Sequence, residues 1–252
     1  MKIEIPAYAK LNLDLHVLRK RADGYHDIRT TMQAIELHDT LEISDDTKVT
    51  GFTVEGMHVD KNDNSVIKAH QALENHVNKR LPASFHLHKR IPPGSGMGGA
   101  SSDAAATLRG LQKMFNLDDV DLEIVGADIG SDVPFFLQTS GAAKVEGRGE
   151  RVTPIETTPT NTWFAIAWPG IELSTRLVYQ AWDEVKGPDL RKAAEHVEPR
   201  LKDFAAMLGN PDEEGWRMTG SGSAFFKSTE TENEAKVAIR GLDCWTAVSK
   251  AR

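Results

Sequence analysis

The sequence has few cysteines, few aromatic residues, no excess of positive charge and no long apolar run. Cys244 is the only cysteine in 252 residues, which excludes an internal disulfide and a cysteine-clustered metal site and fits a reducing compartment. A formal net charge of −7 argues against nucleic-acid binding, because neutralising several phosphates requires a basic face. Neither a secretory signal nor a stretch of about 20 apolar residues is present. We therefore expect a globular cytoplasmic protein without nucleic-acid or membrane partners.

What the sequence does contain is enough apolar material for a substantial core. Hydrophobic residues make up 40% of the chain, which suffices for one large unit or two compact domains. Residues 10–17 alternate strictly between polar and apolar, which predicts a half-buried strand. Lys10, Asn12 and Asp14 then line one face of that strand at two-residue spacing.

Other elements follow from hydrophobic periodicity and from turn residues. The predicted strands are 28–35, 40–43, 84–91, 163–168, 223–227 and 245–249. The predicted helices are 65–78, one that begins after Asp103, 122–127, 174–185, 190–208 and 232–240. The segment 153–162 has two prolines, five threonines and no apolar period, which predicts a boundary between domains 1–158 and 159–252.

A glycine-rich segment between the strand at 84–91 and the next helix carries the clearest functional signal. Glycine lets backbone N–H groups approach an anion, and a helix N-terminus adds partial positive charge, so this segment is predicted to bind phosphate. It lacks the Gly-Lys-Ser/Thr of the Walker motif and the glycine offsets of dinucleotide sites. Its residues are Pro92, Gly94, Ser95, Gly96, Met97, Gly98, Gly99, Ala100, Ser101, Ser102 and Asp103.

The segment Pro92–Ser102 resembles the Pro-x-x-x-Gly-Leu-Gly-Ser-Ser motif of the galactokinase, homoserine kinase, mevalonate kinase and phosphomevalonate kinase (GHMP) superfamily. Further segments are most similar to the branch whose acceptor is a cytidine diphosphate-linked alcohol of isoprenoid biosynthesis. They are Ala9–Leu13, Arg21–His26, Gly130–Phe136, Ser174–Thr175 and Arg217–Ser223.

The resemblance implies an α+β fold of two domains, an N-terminal ribosomal-protein-S5-like domain and a C-terminal ferredoxin-like domain, with the active site in the cleft. It also implies ATP as co-substrate with Mg²⁺, Asp132 as the base beside the acceptor hydroxyl, and Lys10 next to Asp132. Asn64 and Lys89 match positions near adenine or ribose. The residues that match acceptor-binding positions are Asn12, Tyr25, His26, Thr175, Tyr179 and Gly220.

Several alternatives stay open at this stage. Between Glu184 and Glu214 the family usually has an Asn-Asp-Leu-Glu stretch, which is missing here, so a related kinase with another acceptor or a nucleotide-binding regulator is possible. Ser101 and Ser102 can cap the helix or, with Asp103, help hold Mg²⁺. His86 and His88 alternate on a strand, but no third ligand stands at a useful spacing, which favours an exposed strand face over a metal site. A monomer or weak homodimer is expected.

Overall fold

The computed structural model describes residues 1–45, 50–59, 64–138, 140–155, 161–209 and 215–252. The strands are β1 (Lys2–Lys20), β2 (His26–Ser44), β3 (Gly51–Gly56), β4 (Ser84–Lys89), β5 (Ala142–Gly147), β6 (Arg151–Ile155), β7 (Trp163–Trp168), β8 (Trp216–Met218), β9 (Phe225–Thr229) and β10 (Trp245–Lys250). The helices are α1 (Ser65–Val77), α2 (Gly99–Phe115), α3 (Leu122–Ile129), α4 (Val133–Leu137), α5 (Thr175–Val185), α6 (Arg191–Val197), α7 (Arg200–Met207) and α8 (Glu232–Ala238). Across these residues, every helix is too short or too polar to span a membrane.

Two compact units divide the chain, and each is assembled from several segments. Unit 1 comprises Met1–Ala9, His38–Pro93 and Gly98–Thr139, and unit 2 comprises Lys10–Leu37, Gly94–Met97 and Ser140–Arg252. The long strands β1 and β2, which pair with each other, therefore contribute residues to both units.

In unit 1, β4 pairs antiparallel with the second half of β2 and parallel with β3. Helix α2 packs against α1, α3 and α4. Gly110 allows α2 to lie directly on the strands, because a Cβ there would stand 2.3 Å from Ile43 Cδ1 and 2.7 Å from Ile5 Cδ1. This close packing fixes the position of α2 and of the loop residues at its N-terminus.

In unit 2, the first half of β2 pairs with β5, which pairs with β6, and a separate antiparallel sheet has the order β10-β7-β9-β8. One apolar cluster joins Val17 and Ile28 to α5, α6 and Leu201. A second joins β7, β9 and α8 around the buried side chains of Trp216 and Phe225.

The alternating pattern predicts shorter strands than the structure has in β1 and β2. β1 continues well beyond the predicted 10–17. Lys10 and Asn12 are each only 3% exposed, so this part of the polar face is buried, whereas Asp14 is exposed. The predicted strands 28–35 and 40–43 form one continuous strand. Asp39 interrupts the apolar pattern between them, but it is fully buried and ion-paired with Lys89, so it does not end the strand.

Most other predicted elements are confirmed to within a few residues, with three corrections. The helix predicted to begin after Asp103 begins at Gly99, and the predicted helix 190–208 is two helices, separated at the C-cap Glu198 and at Pro199. The predicted linker starts inside β6, because Thr153 pairs with Lys144 of β5. The domain boundary at 158/159 lies outside the described residues and stays a prediction.

Candidate active site

The glycine-rich loop has a repeating left-handed backbone at every second residue. Gly94, Gly96 and Gly98 have φ values of +62°, +80° and +74°, a region that other L-residues adopt only at a cost. Gly98 is the N-cap of α2, and the first helical hydrogen bond joins Ser102 N–H to Gly98 O at 2.9 Å. The N–H groups of the first helical turn, from Gly99 to Ser101, lie beyond the reach of intrahelical acceptors. This arrangement of glycines and N–H groups suits an anion.

Ser101 and Ser102 do not cap α2, so that alternative is wrong. The N-cap is Gly98, which lies three residues earlier than Ser101. Ser102 is 1% exposed and Asp103 is 2% exposed inside the first turns, whereas the Ser101 side chain is only partly buried. Of these three residues, Ser101 is therefore the most accessible.

Backbone hydrogen bonds hold the first half of the loop within unit 2. Met97 O accepts from Lys10 N–H at 3.0 Å, and Ser95 O accepts from Ala224 N–H at 3.0 Å. A Cβ on Gly96 would stand 2.3 Å from Thr219 O, and one on Gly94 would stand 2.9 Å from Glu172 Cα. Glycine at these two positions thus permits close backbone packing, while the side chain of Met97 is fully buried.

The Lys10 ammonium lies in a buried polar cluster of unit 2. It donates to Asn12 Oδ1 at 2.5 Å and to Gly96 O at 2.7 Å. Asn12 Nδ2 donates to Thr30 Oγ1 at 2.9 Å, and Asn12 N–H donates to Thr219 Oγ1 at 3.0 Å. These bonds place a positive charge directly beside the loop glycine.

Gly220 completes this cluster. Its φ is +59°, and a Cβ would stand 2.9 Å from Gly96 O and 3.2 Å from Lys10 Nζ. The structure therefore brings together three predicted site residues, Lys10, Asn12 and Gly220, around the carbonyl of Gly96. A side chain at position 220 would displace them.

Lys89 lies in a second buried cluster, within unit 1. Its ammonium donates to Asp39 Oδ2 and to Asp103 Oδ2, the latter at 2.8 Å, and all three side chains are less than 5% exposed. Asp39 Oδ1 also accepts from the N–H groups of Arg90 and Ile91, at 2.5 and 2.8 Å. Asp39 thereby fixes the backbone that leads into the glycine-rich loop.

The charges in this cluster shift two pKa values. Burial raises the pKa of Asp103 to about 7, against the lowering effect of Lys89. Burial opposes the charge on Lys89, but the neighbouring Asp103 and Asp39 outweigh it and raise the pKa of Lys89 above its usual value. Within the described residues, Asp103 Oδ1 has no hydrogen-bond partner. Lys89 therefore acts here as a buried counter-ion for two carboxylates.

Asp132 lies in the turn that precedes α4, in the same unit as the N-terminus of α2. It is the N-cap residue of α4, and its side chain makes no capping hydrogen bond there. Val133 N–H donates to Gly130 O at 3.1 Å, and a Cβ on Gly130 would stand 3.6 Å from Ser101 Oγ. The fold thus places the Asp132 turn beside the first turn of α2, which the separation of the two segments in sequence does not show.

His26 and Tyr179 form the core of an aromatic cluster in unit 2. Their rings stack at a centroid distance of 5.2 Å, and Trp182 lies edge-on to His26 at 5.5 Å. His26 Nε2 lies 2.9 Å from Asp183 Oδ1, and Lys20 Nζ lies 2.5 Å from Asp183 Oδ2. Hydrogen bonds from Lys20 and then His26 lower the pKa of Asp183 to about 2. One face of the Tyr179 ring is thus occupied by His26.

Three further predicted residues have defined surroundings. Tyr25 is 52% exposed, with the Arg148 guanidinium 5.3 Å from its ring centroid. Thr175 Oγ1 and Ser221 Oγ share a hydrogen bond of 2.9 Å. Asn64 caps α1 by accepting from Val66 N–H at 2.8 Å, which gives it a structural role in addition to the predicted ligand contact.

Sequence reasoning missed Asp39, Thr30 and Arg148. Asp39 carried a usable signal, since a charged residue within a strand pattern needs a buried partner. Thr30 and Arg148 become recognisable only through contacts that distant segments make.

Comparisons with known proteins show which family this chain resembles. Residues 64–140 match the family model of the GHMP kinases N terminal domain. A 4-diphosphocytidyl-2-C-methyl-D-erythritol kinase of Caldicellulosiruptor saccharolyticus is 36% identical over 253 residues, which cover 88% of this chain and 86% of the relative. One of Thermodesulfovibrio yellowstonii is 42% identical over 179 residues, which cover 70% of this chain and 61% of the relative. A crystal structure of 4-(cytidine 5'-diphospho)-2C-methyl-D-erythritol kinase matches with a TM-score of 0.82 at 30% identity and 99% coverage of both chains.

The fold, the left-handed glycine loop and the helix that follows it define a small-molecule kinase of the GHMP class. Within that class, the chain belongs to the 4-diphosphocytidyl-2-C-methyl-D-erythritol kinase family. The resemblance noted from sequence motifs and the predicted α+β GHMP-kinase fold are both confirmed.

Proposed function

We propose that this chain transfers the γ-phosphoryl group of ATP to the 2-hydroxyl of 4-diphosphocytidyl-2-C-methyl-D-erythritol, in the non-mevalonate route to isoprenoid precursors. Family membership supports the acceptor. The N-terminus of α2 is the observation that carries the phosphate chemistry, because Gly98 in a left-handed conformation leads directly into a helix.

The chain's own contribution to phosphoryl transfer is position and charge. N–H groups of Gly99, Ala100 and Ser101 supply donors for phosphate oxygens, and they stand on a helix that is packed rigidly against strands. Preorganised donors of this kind stabilise charge without reorganising during the reaction.

Mg²⁺ bound with ATP would supply positive charge that neutralises the charge developing on the phosphates. The residues present fit such an ion, since hydroxyl oxygens suit Mg²⁺ and Ser101 offers a partly accessible one at the start of α2. Asp103 is directed to Lys89 instead, at 2.8 Å.

Lys10 and Asp132 are proposed as the catalytic residues. The Lys10 ammonium is held at 2.7 Å from Gly96 O, so its charge stands beside the loop that receives the phosphates. Asp132 would accept the hydrogen bond of the acceptor hydroxyl and orient that group for attack.

The acceptor's cytosine is assigned to Tyr25, His26 and Tyr179. The exposed ring of Tyr25 and the partly buried ring of Tyr179 are aromatic surfaces on which a pyrimidine can stack. Asn12, Thr175 and Gly220 are proposed as the polar contacts of the same substrate. With a net charge of −7 and one cysteine, we propose a cytoplasmic monomer or weak homodimer without nucleic-acid or membrane partners.

An ADP-release assay with a panel of acceptors tests this proposal. The panel contains the cytidyl substrate, the same alcohol phosphate without the cytidyl group, homoserine and mevalonate, and phosphorus NMR of the product locates the new phosphate. We expect kcat/KM for the cytidyl substrate to exceed that of the others by at least about 10²-fold, as a site built for polar recognition discriminates. Preference for homoserine or mevalonate would assign another branch of the superfamily. ADP release with none of them, despite ATP binding, would identify a regulatory protein.

A further inference from the structure

Outside the candidate active site, an exposed face of unit 1 carries two histidines and two carboxylates on three adjacent strands. His86 and His88 lie on β4, opposite Thr53 and Glu55 of β3 in the parallel register. On the other side of β4, Glu42 of β2 is paired with His86 in the antiparallel register. No third ligand stands at a useful spacing along the chain, but the neighbouring strand β3 brings Glu55 close to both imidazoles.

We propose that His86, His88 and Glu55 form a binding site for a divalent transition-metal ion of the zinc type. One ligand atom from each side chain can be chosen so that all three lie within 4.8 Å of one another. Two imidazoles with one carboxylate form a set that Zn²⁺, Ni²⁺ and Cu²⁺ accept, at metal–ligand distances of about 2.0–2.2 Å for Zn²⁺.

The hydrogen bonds around the two rings assign the ligand atoms. Thr53 Oγ1 lies 2.7 Å from His86 Nδ1, which leaves Nε2 of His86 facing Glu55 Oε2 at 3.7 Å. His88 Nδ1 faces Glu55 Oε1 directly, while His88 Nε2 faces Glu42 Oε1 at 3.7 Å. Each ring thus directs one nitrogen at Glu55 and the other at a separate polar partner.

Metal-binding histidines need this arrangement, with one ring nitrogen available to the ion and the other held by a polar partner. A ligating imidazole usually has its other nitrogen hydrogen-bonded to a carboxylate, hydroxyl or carbonyl, which sets the tautomer and the ring orientation. Thr53 does this for His86, and Glu42, itself ion-paired with Lys2 at 2.8 Å, is placed to do it for His88. The ring centroids are only 4.4 Å apart and nearly perpendicular, so the two rings converge on Glu55.

The three side chains are also accessible to an ion from solvent. The side chains of His86 and His88 are 34% and 32% exposed and that of Glu55 is 59% exposed, so an ion can enter without opening the fold. Three protein ligands leave a position for water, as in open zinc sites. A metal here would join β3 to β4 and stabilise the folded state by mass action.

Isothermal titration of the untagged full chain with ZnCl₂, without ATP, tests the site. We expect one equivalent to bind, with affinity at least about 10-fold lower in His86→Ala, His88→Ala and Glu55→Gln, since a lost ligand costs no less than a lost outer partner. Thr53→Ala should weaken binding by about 10-fold, because it releases His86 Nδ1. His76→Ala, an exposed histidine on α1, is the matched control and should bind as the wild type does.

A second measurement does not depend on the single variants. Co²⁺ bound by two imidazoles and a carboxylate gives visible d–d absorption different from that of the hexaaqua ion, and His86→Ala/His88→Ala should abolish this spectrum. Circular dichroism and ATP binding verify that the variants fold. Wild type that binds no stoichiometric Zn²⁺, or a double variant that retains it, would overturn the site and show that any bound ion is adventitious.

Discussion

Two buried carboxylates share one ammonium group in the cluster of Asp39, Lys89 and Asp103. At the scale of single residues, this imbalance means that one negative charge is poorly compensated, and burial accordingly raises the pKa of Asp103 to about 7. A folded-state pKa above the ordinary value of 3.8 favours the protonated form on folding. The contribution of Asp103 to stability is therefore fully present below about pH 4 and is lost as the pH rises through about 7.

Asp103→Asn should remove that pH dependence. The amide is neutral at every pH, and its oxygen can still accept from Lys89. We expect the free energy of unfolding, measured by urea denaturation between pH 5 and 8, to fall less steeply with pH in the variant than in the wild type. Parallel profiles for the two proteins would show that Asp103 is ionised throughout this range.

Asp132→Asn tests the proposed base. The substitution keeps the size of the side chain but removes its capacity to take a proton, so kcat should fall by about 10²–10⁴-fold. The dissociation constant for ATP, measured with a fluorescent analogue, should change by less than a few-fold. Asp128→Asn, an exposed carboxylate on α3, serves as control and should keep full activity. Activity of Asp132→Asn close to that of the wild type would exclude the catalytic role.

Tyr25 and Tyr179 should respond differently when replaced by alanine. Losing a base stack costs about 1–3 kcal/mol, so KM for the cytidyl acceptor should rise by about 5- to 150-fold in either variant while ATP affinity is unchanged. Tyr179→Ala also loses the stack on His26 and should lower the melting temperature, whereas the exposed Tyr25 should not. An acceptor without the cytidyl group is the control, since neither variant should distinguish it from the full substrate.

At the scale of elements, the glycine-rich loop combines two separate requirements for glycine. Gly96 has a positive φ and a backbone neighbour, Thr219 O, where a Cβ would lie. Gly99 has helical geometry, and a Cβ there would stand 2.9 Å from Lys89 Nζ and 3.1 Å from Ile91 Cγ2. A side chain at position 99 would therefore press on the Lys89 cluster rather than only on bound phosphate.

Gly96→Ala and Gly24→Ala form a matched pair that separates strain from close packing. Both glycines have φ between +80° and +87°, but a Cβ on Gly24 meets nothing within 4 Å. We expect Gly24→Ala to lower the free energy of unfolding by about 1–2 kcal/mol, and Gly96→Ala to cost about 1–3 kcal/mol more through the clash with Thr219 O. Only Gly96→Ala should also weaken ATP binding. Equal losses in urea denaturation would mean that the Thr219 segment simply moves away.

The sequence sufficed for the elements whose pattern is local. The helix at 65–77 and the strand at 163–168 have clear apolar periodicity and were placed almost to the residue. The sequence predicts two strands where β2 is one. Asp39 is charged, and only the structure shows that Lys89 neutralises it within the strand. The start of α2 is predicted too late because Gly99 has weak helix propensity and Ser101 and Ser102 are typical N-cap residues, whereas the N-cap in the structure is Gly98.

For the site, the motif residues were predictable but their partners were not. The glycine-rich loop, Lys10 and Asn12 were identified from spacing and resemblance. Their contacts with Thr30 and Thr219 join positions up to 207 residues apart, and no local pattern encodes such a contact. The contact of Glu55 with the two histidines of β4 is hidden for the same reason, because Glu55 reaches them from the neighbouring strand β3.

At the scale of the whole molecule, residues 33–37 of unit 2 are bound to the C-terminal end of the described chain. Gln33 Nε2 donates to Arg252 O at 2.9 Å, Arg252 N–H donates to Ala34 O at 3.0 Å, and Leu37 N–H donates to Ser249 Oγ at 2.8 Å. The N-terminal part of unit 2 is thus completed by residues that a cut at 158/159 would remove.

A fragment of residues 1–158 should therefore fail to fold cooperatively, although it contains the whole predicted N-terminal domain. It would lose the partners of residues 10–37 and expose apolar side chains such as Val17 and Ile28. We expect a broad urea transition and poor amide dispersion in NMR, and recovery of both when fragment 159–252 is added. A sharp transition of fragment 1–158 alone would support the linear division of domains.

Asp39 has a consequence for the exchange of amide hydrogens with solvent. The amides of Arg90 and Ile91 follow the end of β4, where loop amides usually exchange within local fluctuations. Both donate to a carboxylate oxygen of Asp39, whose side chain is inaccessible to water and is also tied to Lys89. Releasing either amide requires the ion cluster itself to open. In a hydrogen–deuterium exchange experiment, these two amides should therefore exchange as slowly as the amides of the central strands. The backbone that leads into the proposed ATP-binding loop should then be as rigid as the core.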